Sequence, residues 1–202
     1  MPDKQTFEFR GVDNLVYAEV VTDTKEKFET GEVKPLSPVA TVTKSTDSSS
    51  EAHYYDNQPM LVINSEAADE IGITVAPLQL DTYADITGKE FDAASGMLID
   101  CEREPKYFAI GYRTKGTDGK YRYVWRLKGS FAIPEETSET ENDGTDTTNM
   151  ELTFTGIVTT HKFAKNNKPA KGIVVDERFV TVDSTTFFDT VQTPDTWKVT
   201  EG

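Results

Sequence analysis

The feature that most constrains the fold of this chain is a period of two in residues 107–133. Its first half places apolar residues at Phe108, Ile110 and Tyr112. In its second half, one face carries Tyr121, Tyr123, Trp125, Leu127, Phe131 and Ile133. The opposite face carries Arg122, Val124, Arg126, Lys128 and Ser130. Because side chains alternate between the two faces of a strand, this pattern predicts a long β-hairpin.

The turn of this hairpin is predicted at residues 116–119, whose sequence is Gly-Thr-Asp-Gly. These residue types tolerate the positive φ angles that tight hairpin turns require. The aromatic face should be covered by another sheet or by a helix. The basic face should meet water or an acidic partner.

Strands are predicted to dominate the rest of the chain as well, because β-forming residues recur between short turns. The predicted strands are 14–22, 33–42, 51–57, 59–64, 71–80, 150–160 and 172–183. Residues 81–88 are the best helix candidate, since Asp81 can accept from free amides and Gly88 can end a helix. The predicted fold class is mainly β, a sandwich or barrel with one short α-helix packed on one side.

Two segments are predicted to be loops. Residues 32–58 form a long, weakly hydrophobic segment, and its stretch 43–50 is almost entirely Ser, Thr and Asp. A loop of this length is typically functional or disordered. Residues 134–149 are strongly acidic and contain no Lys or Arg, which favours a solvated loop. We therefore predict a β-sandwich domain over residues 1–163, with residues 164–202 as a C-terminal strand and arm of the same domain.

The composition argues against several classes of protein. The 202 residues include 35 acidic and 21 basic side chains, so the formal net charge is −14. Such a chain should repel nucleic acid, whose binding depends on phosphate neutralisation. A single cysteine excludes an intramolecular disulfide and favours a reducing compartment. The polar N-terminus and the short apolar runs favour a soluble protein without a secretory signal or a membrane partner.

No arrangement of residues in the sequence favours catalysis, a cofactor or a metal. His53, His161 and Cys101 lie in separate segments without the spacing of a zinc site, so we expect ordinary histidines and a buried thiol. The acidic segment resembles a calcium loop, but the closing ligand falls on Met150 and Glu151 comes one residue too late. A looser cation site between subunits stays open. We expect a protein that is not an enzyme and has no cofactor.

Basic residues gather around the predicted hairpin and are followed by the acidic segment. They are Arg103, Lys106, Arg113, Lys115, Lys120, Arg122, Arg126 and Lys128. One interpretation is a solvated face with salt bridges inside the chain. The other is an oligomer with heterologous contacts, in which the basic face of one copy meets the acidic loop of the next.

Several stretches resemble the major tail (tail tube) protein family of long-tailed, non-contractile bacteriophages. They are 9–18 (FRGVDNLVYA), 54–57 (YYDN), 85–88 (DITG), 104–112 (EPKYFAIGY), 125–127 (WRL) and 151–155 (ELTFT). Their order and spacing cover about residues 7–161, and the resemblance is weak after Phe163. It implies a tail-tube fold: a β-sandwich with one helix, in which segment 32–58 packs on the adjacent ring.

The resemblance also implies a function. Copies would close into hexameric rings, with inner strands joined into one barrel, and the rings would stack around the tape-measure protein. Distal tail and tail terminator proteins would bind the ends, and double-stranded DNA would pass without being bound, which suits an acidic chain. Assembly would take place in the host bacterial cytoplasm, and the product would be the tail of the virion.

On this resemblance we expect contacts between subunits or rings at a defined set of residues, and no catalytic, cofactor or metal residue. The set is Pro35, Pro38, Asp47, Tyr54, Tyr55, Arg122, Arg126, Lys128, Glu135, Glu136, Glu139 and Glu141. The main alternative is a carbohydrate- or surface-binding β-sandwich module, which would need exposed aromatic residues. A hydrolase would need a concave site with perturbed acids.

Overall fold

A computed structural model of the chain describes residues 6–136 and 149–198, which form a mainly β fold with one short helix. The elements are β1 (Phe9–Asp23), β2 (Phe28–Thr30), β3 (Lys34–Pro35), β4 (Val39–Tyr55), β5 (Gln58–Val75), α1 (Leu80–Thr87), β6 (Glu90–Asp92), β7 (Met97–Ile99), β8 (Phe108–Gly116), β9 (Tyr121–Phe131), β10 (Met150–Gly156) and β11 (Gly172–Asp176). The predicted fold class is confirmed.

Most strands belong to one antiparallel sheet in the order β2-β1-β8-β9-β10-β5-β4. Strand β3 pairs with β1, and β11 pairs with β9 beside β10. The short strands β6 and β7 form a separate sheet near α1. The large sheet curls so far that β4 contacts β1, and the sandwich-like interior lies between its two halves.

The hairpin β8–β9 is buried on both of its faces. Inside the curl, Phe108 and Ile110 pack with residues of β5 and β10 and with Ile86 of α1. On the other face, Tyr123 and Trp125 pack against the C-terminal segment of the chain. The ring centroid of Phe187 lies 4.9 Å from that of Tyr123, which makes this an aromatic contact. The aromatic face is covered, as expected, but the prediction that another sheet or a helix would cover it is wrong: the turns that follow Asp176 in the C-terminal segment provide most of the cover.

The prediction that Phe131 and Ile133 share a face with Tyr121, Tyr123, Trp125 and Leu127 is wrong for Phe131. Ile110 pairs with Arg126 and Phe108 pairs with Gly129, so β9 has one extra residue at this point. Such a β-bulge reverses the alternation of the side chains that follow it. Phe131 therefore packs with Phe108 inside the curl, on the face opposite to Leu127.

The predicted loop over residues 32–58 is also wrong, because it contains β3 and β4, and its stretch 43–50 forms the middle of β4. Strands β4 and β5 make one long antiparallel hairpin, which turns at Asp56 and Asn57 with φ angles of 50° and 60°. Ser and Thr side chains bond across the pair, as between Ser49 and Ser65 at 2.6 Å. Backbone pairing and these bonds stabilise the stretch 43–50, which has no apolar side chain.

The predicted helix is confirmed as α1, and Gly88 ends it in the left-handed region at φ 68°. Gln79 rather than Asp81 is the N-cap, and Asp81 lies in the first turn. The last predicted strand, 172–183, ends at Asp176. The described residues after Asp176 form turns that pack on the sheet through side chains such as Phe187.

Replacing Gly129 by Ala should destabilise the fold. An added Cβ at Gly129 would lie 2.5 Å from the Thr155 carbonyl oxygen and equally close to the Phe154 ring. The Thr155 carbonyl belongs to the backbone of a paired strand, so it cannot move aside easily. We therefore expect Gly129→Ala to lower the free energy of unfolding by about 1–3 kcal/mol. Chemical denaturation measures this change.

The matched control is Gly11→Ala in β1, where the nearest atom to an added Cβ, Lys115 Cβ, lies 4.0 Å away. This variant should stay within about 0.5 kcal/mol of the parent protein. Equal stability of the two variants would show that β9 and β10 are not in close contact at Gly129.

Candidate interaction surface

The outer part of the β4–β5 hairpin projects from the body of the protein. Strand β10 pairs with β5 only from Asp69 to Val75. Within residues 47–68, the two strands therefore pair only with each other in the described chain. We call residues 47–68 the arm. Every residue of the arm is exposed except His53, which is half-buried. The arm is thus a two-stranded ribbon in solvent.

The tip of the arm is apolar. Its exposed apolar residues, with the exposed fraction of each, are Tyr54 (67%), Tyr55 (57%), Met60 (69%), Leu61 (50%), Val62 (55%) and Ile63 (49%). Because neighbouring residues of a strand point to opposite faces, both faces of the ribbon present apolar side chains. Contiguous exposed apolar residues of this kind mark interaction sites.

The arm also has free strand edges. Among the described residues, the outer edge of β4 pairs with no strand, and β5 has no second partner before Asp69. The β4–β5 register shifts between Thr46 and Ser48, where β5 has one extra residue, so Asp47 lies opposite a bulge of β5 on the exposed ribbon. Unpaired edges offer backbone donors and acceptors to another chain.

The predicted contact residues on β9 form ion pairs within the chain. Arg122 lies 2.9 Å from Asp176, and Lys128 lies 2.6 Å from Asp23. Arg126 reaches Asp69 at 3.6 Å, at the base of the arm. These ion pairs favour the interpretation of a salt-bridged face. A role of these residues between subunits stays a prediction.

The other predicted contact residues lie in separate places. Tyr54 and Tyr55 are on the arm, whereas Pro35 and Pro38 line a groove on the body. Glu135 and Glu136 are exposed, and the Glu136 carboxylate lies near Tyr83 of α1. Burial and this carboxylate raise the pKa of Tyr83. The remaining two, Glu139 and Glu141, lie outside the described residues.

The groove beside Pro35 and Pro38 has a volume of about 960 Å³ and runs between β1, residues 34–39 and the start of α1. Its floor holds Asp85, which accepts hydrogen bonds from Tyr17 Oη at 2.8 Å and Lys34 Nζ at 2.9 Å. Burial and the Asp85 carboxylate raise the pKa of Tyr17. Asp85 is thus held by hydrogen bonds within the chain.

The described residues give little support to a site of another kind. Tyr123, Trp125 and Phe131 are buried, so they cannot form an exposed aromatic surface on the hairpin. No group of three or more His, Cys, Asp or Glu that could hold a metal occurs in residues 6–136 and 149–198. Cys101 is exposed, which corrects the expected buried thiol. The described chain has no helix of the length and apolarity needed to cross a bilayer.

Acidification should weaken the fold through its ion-paired aspartates. Burial alone would raise the pKa values of Asp23, Asp69, Asp85 and Asp176, but hydrogen bonds from neighbouring donors outweigh burial and lower them. A lowered pKa in the folded state stabilises the protein above the unfolded value, about 3.9. That stability is lost as the pH falls through the folded values.

We therefore expect Tm to be lower at about pH 3 than at about pH 7, with the loss concentrated below about pH 4. For a chain of this size, each kcal/mol of lost stability lowers Tm by about 2–4 °C. Calorimetry across this range measures the change. Asp69→Asn should have a lower Tm at neutral pH and a smaller further decrease in acid. An unchanged Tm in acid would contradict the role given to these carboxylates.

Comparison with known proteins gives this chain no family. No protein-family model matches it, and no curated protein is significantly similar to it.

Proposed function

We propose that this protein is a structural subunit, not an enzyme, that polymerises into the tail tube of a long-tailed bacteriophage. The observation that carries the proposal is the arm, a ribbon with apolar side chains on both faces and strand edges without a partner. An isolated two-stranded ribbon is marginally stable in water at best. A second protein surface would supply what this ribbon lacks.

The size of the apolar contact favours repeated association over a single tight dimer. Full burial of one large apolar side chain contributes about 1.5–3 kcal/mol, and the tip residues already have part of their surface covered. One arm therefore offers only several kcal/mol, while association costs on the order of 4–15 kcal/mol in lost freedom. In stacked rings each subunit makes several such contacts at once, which raises the effective concentration.

The remaining strand edges support closure of a ring. Strands β1, β8, β9 and β11 are neighbours in the sheet, with β2 and β3 at one end and the open edge of β11 at the other in the described chain. The two ends differ, so joining one to the other is a heterologous contact, which generates rings when the rotation closes. A closed barrel leaves no exposed strand edge.

The charge of the chain supports a conduit for DNA. The formal net charge is −14. The basic side chains Arg122, Arg126 and Lys128 of β9 form ion pairs with aspartates of the same chain. An anionic bore would let phosphates pass without holding them. The proposed partners are further copies in hexameric rings, the tape-measure protein inside the tube, and the distal tail and terminator proteins. The proposed location is the tail of the virion.

Removing apolar groups from the arm should prevent polymerisation without unfolding the protein. The variant Leu61→Ser/Ile63→Ser changes residues that are 50% and 49% exposed on one face of the arm. Because neither lies in the core, the thermal unfolding curve of the monomer should stay close to that of the parent protein. Light scattering and negative-stain electron microscopy should show loss of tubes or rings.

The matched control is Met97→Ser/Ile99→Ser, which changes alternate residues of β7 that are 52% and 37% exposed. This control should polymerise like the parent protein. If the arm variant polymerised at the normal rate, the arm would not be needed for assembly, and the proposal would lose its main support. Parent protein that stays monomeric at high concentration, with and without tail initiator proteins, would overturn the proposed function.

A further inference from the structure

The base of the arm contains a dense group of charged side chains. The Asp69 carboxylate is buried, and Lys44 and Lys171 place their ammonium groups 3.3 Å and 3.1 Å from it. Arg126 lies 3.6 Å away, and the Thr46 hydroxyl donates to it at 2.8 Å. These donors come from β4, from β9 and from the residue before β11. Asp69 therefore joins the arm to the body of the protein.

Lys171 links the body directly to the arm. Its ammonium group donates to Glu66 Oε1 at 2.7 Å, to the Ala67 carbonyl oxygen at 2.5 Å, and to Asp69. An ammonium group has three donors, so all of them are used at this point. Glu66 and Ala67 belong to the arm, while Lys171 precedes β11 in the C-terminal part of the chain. No strand pairing connects these two segments in the described chain.

This base is also where the ribbon can change direction. Pairing of β5 with β10 ends at Asp69, and the register of β4 against β5 shifts between Thr46 and Ser48. A bulge bends the strand that contains it. The last strand pairing with the body and the bulge thus lie at the same level of the hairpin. A restraint placed here determines where the tip of the arm points.

We infer that Lys171 is a positioning residue that sets the direction in which the arm leaves the body, and so allows one copy to engage the next. The part of the inference that concerns assembly rests on the proposed function. The part that concerns the arm in a single subunit does not. In a rigid assembly, a small rotation at the base displaces the tip by a larger distance and moves its apolar residues out of contact.

The test is Lys171→Met, which keeps an aliphatic side chain and removes the ammonium group. Asp69 retains Lys44, Arg126 and Thr46, so the variant does not leave its carboxylate without a partner. The matched control is Lys168→Met, an exposed lysine in the preceding turn. Lys171→Arg is the conservative variant, and it should keep the parent behaviour because a guanidinium can also donate to several oxygens.

The direction of the arm is measured in the monomer by energy transfer between dyes on Cys101, which is exposed, and on a Gln58→Cys substitution near the tip. Lys171→Met should broaden the distribution of distances. It should also speed hydrogen exchange of the amides at the base of the arm by about tenfold, the factor that loss of one charged hydrogen bond corresponds to. Polymerisation should slow at least as much.

An unchanged distance distribution and unchanged exchange in Lys171→Met would overturn the inference, even if the parent protein forms tubes. A broader distribution with polymerisation at the normal rate would also overturn it, since the direction would then not matter for assembly. If the parent protein never polymerises, the proposed function fails. The distance measurement then still decides whether Lys171 directs the arm.

Discussion

The fold depends on the burial of both faces of the β8–β9 hairpin. Trp125 on one face and Phe108 on the other are fully buried, and different parts of the chain cover them. The C-terminal segment covers the first face, and the curled half of the sheet formed by β10, β5 and β4 covers the second. Burial of such large side chains supplies much of the favourable free energy of folding.

The curl also accounts for the arm. Strands β4 and β5 continue the sheet over the core, but they are much longer than β10, the strand that pairs with β5. The inner half of β5 contributes Ile71 and Ile73 to the core, and Val42 of β4 packs against it. The outer halves of both strands continue into solvent with apolar residues on both faces. A single copy therefore has a complete core and an incomplete hairpin. In the proposed assembly, such a subunit would fold first and associate afterwards.

The charged residues have two roles: some form ion pairs within the fold, and the remaining acidic residues set the net charge of the surface. Lys128, Arg122 and Arg126 satisfy aspartates inside the chain, so the basic face of the hairpin holds the fold together. The acidic excess of the whole chain remains after this pairing. An acidic exterior disfavours contact with nucleic acid. In the proposed assembly, apolar contacts and strand edges would therefore be the main source of attraction between copies.

The sequence by itself determined the mainly β fold, the hairpin with its aromatic face and the short helix ended by Gly88, because local periods and turn residues encode these features. Tertiary structure decided which face Phe131 takes, since its bulge depends on pairing with β8 and β10. It also decided that residues 43–50 form a strand and that Arg126 meets Asp69. Both depend on contacts between distant segments, and a local pattern carries no record of which distant segment will be the partner.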